Sequence, residues 1–380
     1  MKELGKFQYY LPVNLIFGRG RLSEAGSIVS SYGKKVLLVT GQGSARRTGL
    51  LDRMKGLLEE AGTECVIFDQ VMQNPLTATA EAGAALALSR GCQVVVGLGG
   101  GSIMDCAKAI AFLAVNKGDI NDYIFNRIAG KTALPRVLIP TTCGTGSEGN
   151  SFAVLTNPEN GDKKSLRSNA VIAKASIIDS ELMETMPQSV LASVGFDALC
   201  HSMEAFLSKA AQPLTDGMCM DAIGRIGRHL PVLYRGEGGP EDWDAVAWAS
   251  TLGGMAINTA GVALPHGMEH PASGLRNIIH GKGLAALTPV ITEASIEAAP
   301  EKYRQISRLL GGRDETDCAD VIRRLLEELD LSAGLKSLGI QEEDIPWMRK
   351  NCFKVSAASI ANHPKTFGEE EIEKIYRRAM

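Results

Sequence analysis

The sequence predicts an α/β unit with a doubly wound, mostly parallel, Rossmann-like sheet over residues 1–185, followed by an all-α unit over residues 186–380. Three observations carry this. Short β-branched runs alternate with amphipathic stretches in the first half, as in a parallel sheet covered by helices. After Ala175–Asp179 almost nothing reads as a strand, and the apolar period becomes helical. A chain of 380 residues is also too long for one ordinary hydrophobic core. No Ser/Gly/Pro-rich linker, internal repeat or low-complexity tract interrupts it.

The elements follow in order. Lys34–Thr40 (KKVLLVT) reads as a buried strand ending at the turn Gly41-Gln42-Gly43-Ser44. Leu50–Ala61 is helical and stops at Gly62, Glu64–Asp69 (ECVIFD) is a strand, and the alanine-rich helix Thr77–Arg90 stops at Gly91. Gln93–Leu98 (QVVVGL) is a strand entering Gly99-Gly100-Gly101-Ser102, with a helix over Ile103–Ala114. Arg136–Pro140 (RVLIP) is a further strand, and Gln8–Phe17 an early one. Pro187–Ser208, Leu214–Leu230, Glu241–Val262, Ala298–Leu310, Glu315–Leu329, Asp344–Ala361 and Glu369–Met380 read as helices by period or composition.

Composition excludes several classes. Hydrophobic residues make up 45% and charged residues 22%, an ordinary globular balance. A net charge of −3 offers no basic footprint for nucleic acid. No uninterrupted apolar run reaches the roughly 18 residues of a membrane span. The opening segment lacks a signal peptide's apolar stretch and cleavage site, so a cytoplasmic location is expected. The eight cysteines form no C-x-x-C pair and read as reduced, mostly buried thiols.

Two loops and one cluster carry the chemistry. Gly97-Leu-Gly-Gly-Gly-Ser-Ile-Met-Asp105 follows a strand and opens a helix. Its glycines let backbone N–H groups approach a pyrophosphate at the helix N-terminus; the alternative is a tight turn with no ligand. It is not G-x-G-x-x-G, because Ser102 takes the sixth place. Ile139-Pro-Thr-Thr-Cys-Gly-Thr-Gly-Ser-Glu148 packs hydroxyls behind another strand, where open α/β sheets bind ligands; the alternative is a polar capping loop.

The cluster is Asp197, His201, His266, His270 and His280. Imidazole with carboxylate suits Fe(II) or Zn(II). Asp197 and His201 are four apart, as are His266 and His270, so each pair shares a helix face. On one uninterrupted helix His280 would lie about 21 Å beyond His266, so a break at Pro271–Gly274 is expected to bring it back. His229 reads as a cation at a helix C-terminus and His363 as a surface residue in a turn.

Together these segments resemble the iron-containing (group III, metal-dependent) alcohol dehydrogenase family. The likeness runs through YYLPVNLIFGRG, GGGS-x-x-D, PTTCGTGSE, IDSELMETMP, GFDALCHSMEAF, LPHGMEH…IIHGKGLAALTP and NHPKT. It implies a dehydroquinate synthase-like architecture with an N-terminal dinucleotide-binding domain and a helical metal-binding domain. It also implies a homodimer and reversible reduction of a small aldehyde by NAD(P)H. Asp197, His201, His266 and His280 match its metal ligands, and His270 its proton relay near the nicotinamide. Gly99, Gly100, Gly101, Ser102, Asp105, Thr141, Thr142, Thr145, Lys163 and Leu182 match its cofactor contacts. Gly41 replaces the aspartate of many NAD-preferring members, with Arg46 and Arg47 nearby, which leans toward NADP(H). Ala173 replaces a frequent proline. Arg276 stands where relatives often carry an aromatic residue, and is expected either to bind an anionic substrate or to be a solvent-facing or interdomain arginine. Glycerol dehydrogenase and dehydroquinate synthase share the architecture with a different ligand set. A noncatalytic nucleotide- and metal-binding protein is the remaining alternative.

Overall fold

The computed structural model describes residues 6–380. Eight strands occur among them: β1 (Asn14–Phe17), β2 (Lys35–Gly41), β3 (Glu64–Val71), β4 (Val94–Gly99), β5 (Arg136–Pro140), β6 (Phe152–Thr156), β7 (Lys163–Arg167) and β8 (Ala175–Ile178). Six form one sheet in the order β1-β8-β5-β4-β2-β3, with every neighbouring pair parallel. The other two, β6 and β7, form a separate antiparallel ribbon. Helices α1 (Leu50–Glu60), α2 (Thr77–Arg90) and α3 (Gly101–Leu113) provide crossovers between the parallel strands.

Side-chain alternation explains the layers. In β2, Val36 and Leu38 face one apolar cluster, while Leu37 and Val39 face the other. Both faces are therefore buried, which is why the strand reads as a continuous apolar run. The winding reverses at β2, which pairs with β3 on one side and β4 on the other. Such a switch point leaves a crevice at the carboxyl ends of the strands, where Gly41 and Gly99 lie.

The chain divides into two compact units. One comprises Pro12–Cys143 with Ser147–Met186; the other comprises Pro187–Met380, with the loop Gly144–Gly146 and residues 6–11. The second unit is helical. Its longer helices are α4 (Gln188–Leu207), α5 (Pro213–Tyr234), α6 (Pro240–Ala260), α7 (Leu264–Arg276), α8 (His280–Ser295), α9 (Pro300–Leu309), α10 (Cys318–Glu328), α11 (Ile345–Val355) and α12 (Glu369–Arg378). Helix α4 is nearly all buried and packs against α5, α6 and α8.

Three expectations need correction here. The early strand is only Asn14–Phe17. The carbonyls of Gln8 and Tyr10 instead accept hydrogen bonds from Gln212 Nε2 (3.2 Å) and Asn258 Nδ2 (3.1 Å). The helix expected over Asp344–Ala361 is divided near Ser356, giving α11 and the short turn Ala357–Asn362. The break before His280 lies at Asn277, whose φ of 50° is left-handed, rather than at Pro271–Gly274. Pro271 sits inside α7, where it removes the N–H that would reach the Gly267 carbonyl. The Cys352 thiol fills that place, donating to Gly267 O at 3.2 Å, and the Tyr376 hydroxyl donates to Met268 O at 2.6 Å.

Candidate metal centre

Asp197 and His201 project from one face of α4, a turn apart. His266 lies in the first turn of α7, and His280 is the first residue of α8. Their polar atoms converge. Asp197 Oδ1 stands 3.3 Å from His266 Nε2, 3.5 Å from His201 Nδ1 and 3.6 Å from His280 Nε2. Metal–ligand bonds of 2.0–2.2 Å in tetrahedral array would separate ligand atoms by about 3.4 Å.

Asp197 Oδ1, His201 Nδ1 and His266 Nε2 are buried, and none makes a hydrogen bond of acceptable geometry among the described residues. Buried polar atoms left this way are costly. Asp197, His201 and His266 bring ligand atoms within 4.8 Å of one another, a set that fits a divalent cation, and His280 Nε2 reaches the same Asp197 oxygen. Burial also pushes His201 down to about 4, favouring the neutral ring that binds metals. Burial opposes ionisation of Asp197, but the His201, His266 and His280 rings hold its carboxyl well below the usual range. His270 flanks the cluster, its ring centroid 5.8 Å from that of His280 and 6.1 Å from that of His266.

In the α/β unit, Gly41 ends β2, Gly99 ends β4, and Gly101 with Ser102 opens α3. A side chain at Gly99 would lie 2.9 Å from Ile103 Cγ1, and φ there is +155°, so only glycine fits. Thr141 and Thr142 follow β5, and Thr141 N donates to Gly99 O at 3.1 Å, joining the two loops. Asp105 is buried, accepting from Ser147 Oγ at 2.5 Å and from Val154 N at 3.0 Å. Those contacts make it a brace for the loop after β5. Lys163 is likewise buried and donates to Asn74 Oδ1 at 2.9 Å. Leu182 lies buried in the turn Ser180–Met183, and Thr145 is half-buried in the loop counted with the helical unit.

The family model for iron-containing alcohol dehydrogenase matches residues 12–180, and its C-terminal counterpart matches residues 191–380. The chain belongs to this family. It is 35% identical to 1,3-propanediol dehydrogenase of Klebsiella pneumoniae, over 98% of each chain. It is 30% identical to NAD-dependent methanol dehydrogenase of Bacillus methanolicus, over 98% of this chain and 99% of the other. An archaeal halo-thermophilic alcohol dehydrogenase from a Red Sea brine pool has the same fold, with a TM-score of 0.95, 32% identity and 99% of each chain covered. This iron-containing alcohol dehydrogenase is therefore a metal-dependent oxidoreductase acting on alcohols, with a nucleotide cofactor.

Two residues of this dehydrogenase escaped the reading of its sequence. Glu204, on α4, has Oε1 2.6 Å from His266 Nδ1, and Glu269, on α7, pairs with His280 Nδ1. Both are fully buried. Each is a single acid in an otherwise apolar stretch near a candidate ligand, which is the signal that could have found them.

Arg276 and His363 each find a partner. Arg276 keeps a side chain 43% exposed, in keeping with the solvent-facing alternative, while its Nε and Nη2 donate to the Asp344 carboxylate at 2.9 and 2.6 Å. Asp344 is nearly buried, so this fork–fork pair already occupies the guanidinium. His363 is not a surface residue but 1% exposed, with Nε2 2.8 Å from Ser295 Oγ. Burial pulls its ring down to about 4, so it is neutral at physiological pH.

Proposed function

We propose that Asp197, His201, His266 and His280 hold one divalent metal, Fe(II) or Zn(II), and that the enzyme interconverts a small aldehyde and its primary alcohol with NADP(H) preferred. The observation that carries this is the convergence of three imidazole nitrogens on Asp197 Oδ1. When bound, the metal supplies Lewis-acid polarisation of a carbonyl oxygen, and the nicotinamide carries the hydride. Three histidines and one aspartate bring one negative charge to a divalent ion and leave a position for substrate oxygen. His270 stands beside the cluster and would be the group to exchange the proton of the alcohol.

The test is turnover of short aldehydes before and after exhaustive chelation. Activity is expected to vanish and to return with Fe(II) or Zn(II). Full activity in a chain verified to be metal-free would overturn the reading, and would leave a nucleotide-binding oxidoreductase of another kind.

The cofactor preference rests on β2. No carboxylate stands at its end, and Asp69 on neighbouring β3 is engaged by Arg46 at 2.7 Å. The Arg47 guanidinium lies across Gly43 in the same loop. Such a site does not repel a 2′-phosphate and offers it a cation. Gly41→Asp should reverse this. Its new Cβ meets Val71 O at 3.4 Å and Ile103 Cδ1 at 3.6 Å, contacts that the site tolerates. A charge interaction of about 1.4 kcal/mol would move the NADPH/NADH ratio of kcat/KM about tenfold toward NADH. Steady-state kinetics with both cofactors measures this, and an unmoved ratio would place the discrimination elsewhere.

A further inference from the structure

We propose that Glu204 is a positioning residue that makes His266 a metal ligand by dictating which ring nitrogen carries the proton. The inference rests on the reading of His266 as a ligand. It starts from an incomplete helix end. Helix α7 begins at Leu264 after Ala263, which has no side chain able to cap it. The missing acceptor comes from another helix. Glu204, 2% exposed on α4, accepts through Oε2 from Ala263 N at 2.7 Å and from His266 N at 3.3 Å.

The second oxygen, Oε1, lies 2.6 Å from His266 Nδ1. Oε2 already accepts from two backbone N–H groups, and with Oε1 accepting in the same way Nδ1 is the N–H that donates. The proton on Nδ1 leaves a lone pair on Nε2, the nitrogen that stands 3.3 Å from Asp197 Oδ1. One buried carboxylate thus performs two tasks with two oxygens. It fixes where α7 starts, and it fixes which nitrogen of the third residue along faces the metal position.

The two tasks separate under substitution. Glu204→Gln is nearly isosteric but has only one acceptor end. With its oxygen kept on the two backbone N–H groups, its amide donates to Nδ1. The ring proton then moves to Nε2, which points at the metal position and can no longer bind. The flipped amide would set its NH2 against two backbone donors. Glu204→Asp is shorter but keeps two acceptor oxygens, and therefore the correct tautomer. Capping alone predicts that Asp, which reaches less far, is the worse replacement. Tautomer control predicts that Gln is.

The experiment titrates Zn(II) against a competing chromophoric chelator in the metal-stripped full-length chain and its variants, alongside thermal melts without metal. Glu204→Gln is expected to weaken Zn(II) binding by about 10–100-fold, the range for such partners of metal-bound histidines. Glu204→Asp should weaken it less, whatever the order of the two melts. Wild-type affinity in Glu204→Gln, or weaker binding in Glu204→Asp than in Glu204→Gln, overturns the proposal. His266→Ala separates the two levels of inference. If it too keeps Zn(II), the ligand assignment itself has failed; if it alone loses Zn(II), only the role of Glu204 has.

Discussion

Asp197→Ala is expected to reduce turnover by at least about 10³-fold, since Lewis-acid stabilisation is worth several kcal/mol and each 1.4 kcal/mol is a factor of ten. The substitution removes the single anionic donor and the atom on which three ring nitrogens converge. What remains is three neighbouring imidazoles, with the nearest acids, Glu204 and Glu269, behind the His266 and His280 rings rather than at the metal position. Metal content and kcat measured on the same preparation check this. Asp197→Asn refines it by keeping an oxygen while removing the charge, and should fall between the two. Stoichiometric metal with undiminished kcat in Asp197→Ala would place the ligand shell elsewhere.

The second large effect is expected at a residue that binds nothing. Gly281 follows His280 in the first turn of α8 and packs against α4. A Cβ at Gly281 would sit 2.0 Å from the Ser193 carbonyl oxygen and 2.6 Å from Ser193 Oγ. Ser193 lies one turn before Asp197 on α4, so the obstacle is backbone and cannot rotate away. Gly281→Ala must therefore push the start of α8 off α4, and His280 moves with it. Overpacking of this kind costs about 1–3 kcal/mol or more. Loss of a ligand's alignment should weaken metal binding more than about tenfold. Melts with and without Zn(II) test both parts. An unchanged difference between the two melts would show that His280 keeps its place.

Much of this was legible in the sequence, for physical reasons. The parallel strands announce themselves because both faces are buried, so KKVLLVT and QVVVGL are nearly continuous in apolar residues. The ribbon β6–β7 was hidden because Lys163–Arg167 (KKSLR) is short, polar and free of β-branched residues. The histidine spacing exposed the cluster, but the site of the chain reversal did not follow from it. Proline is the usual breaker, yet Pro271 is accommodated by the Cys352 thiol, while Asn277 turns the chain through a left-handed backbone. Glu204 and Glu269 were passed over because an acid on a helix is usually solvated; their nearness to candidate ligands was the one hint, and tertiary contact shows them buried. His363 failed the same way: its turn composition suggested exposure, but Ser295 and the helices around it enclose the ring.

The donors on α4 and those on α7 and α8 are far apart along the chain. Asp197 and His201 share one turn, but His266 arrives only 65 residues after His201 (266 − 201). Closing so long a loop costs conformational entropy before any contact repays it. The unfolded chain thus offers a metal only scattered pairs of donors, and the full set arises when α4, α7 and α8 have already docked. A metal held by this set would therefore be captured late in maturation. Such a metal would act by mass action on the folded chain, deepening the native well with the logarithm of free metal concentration.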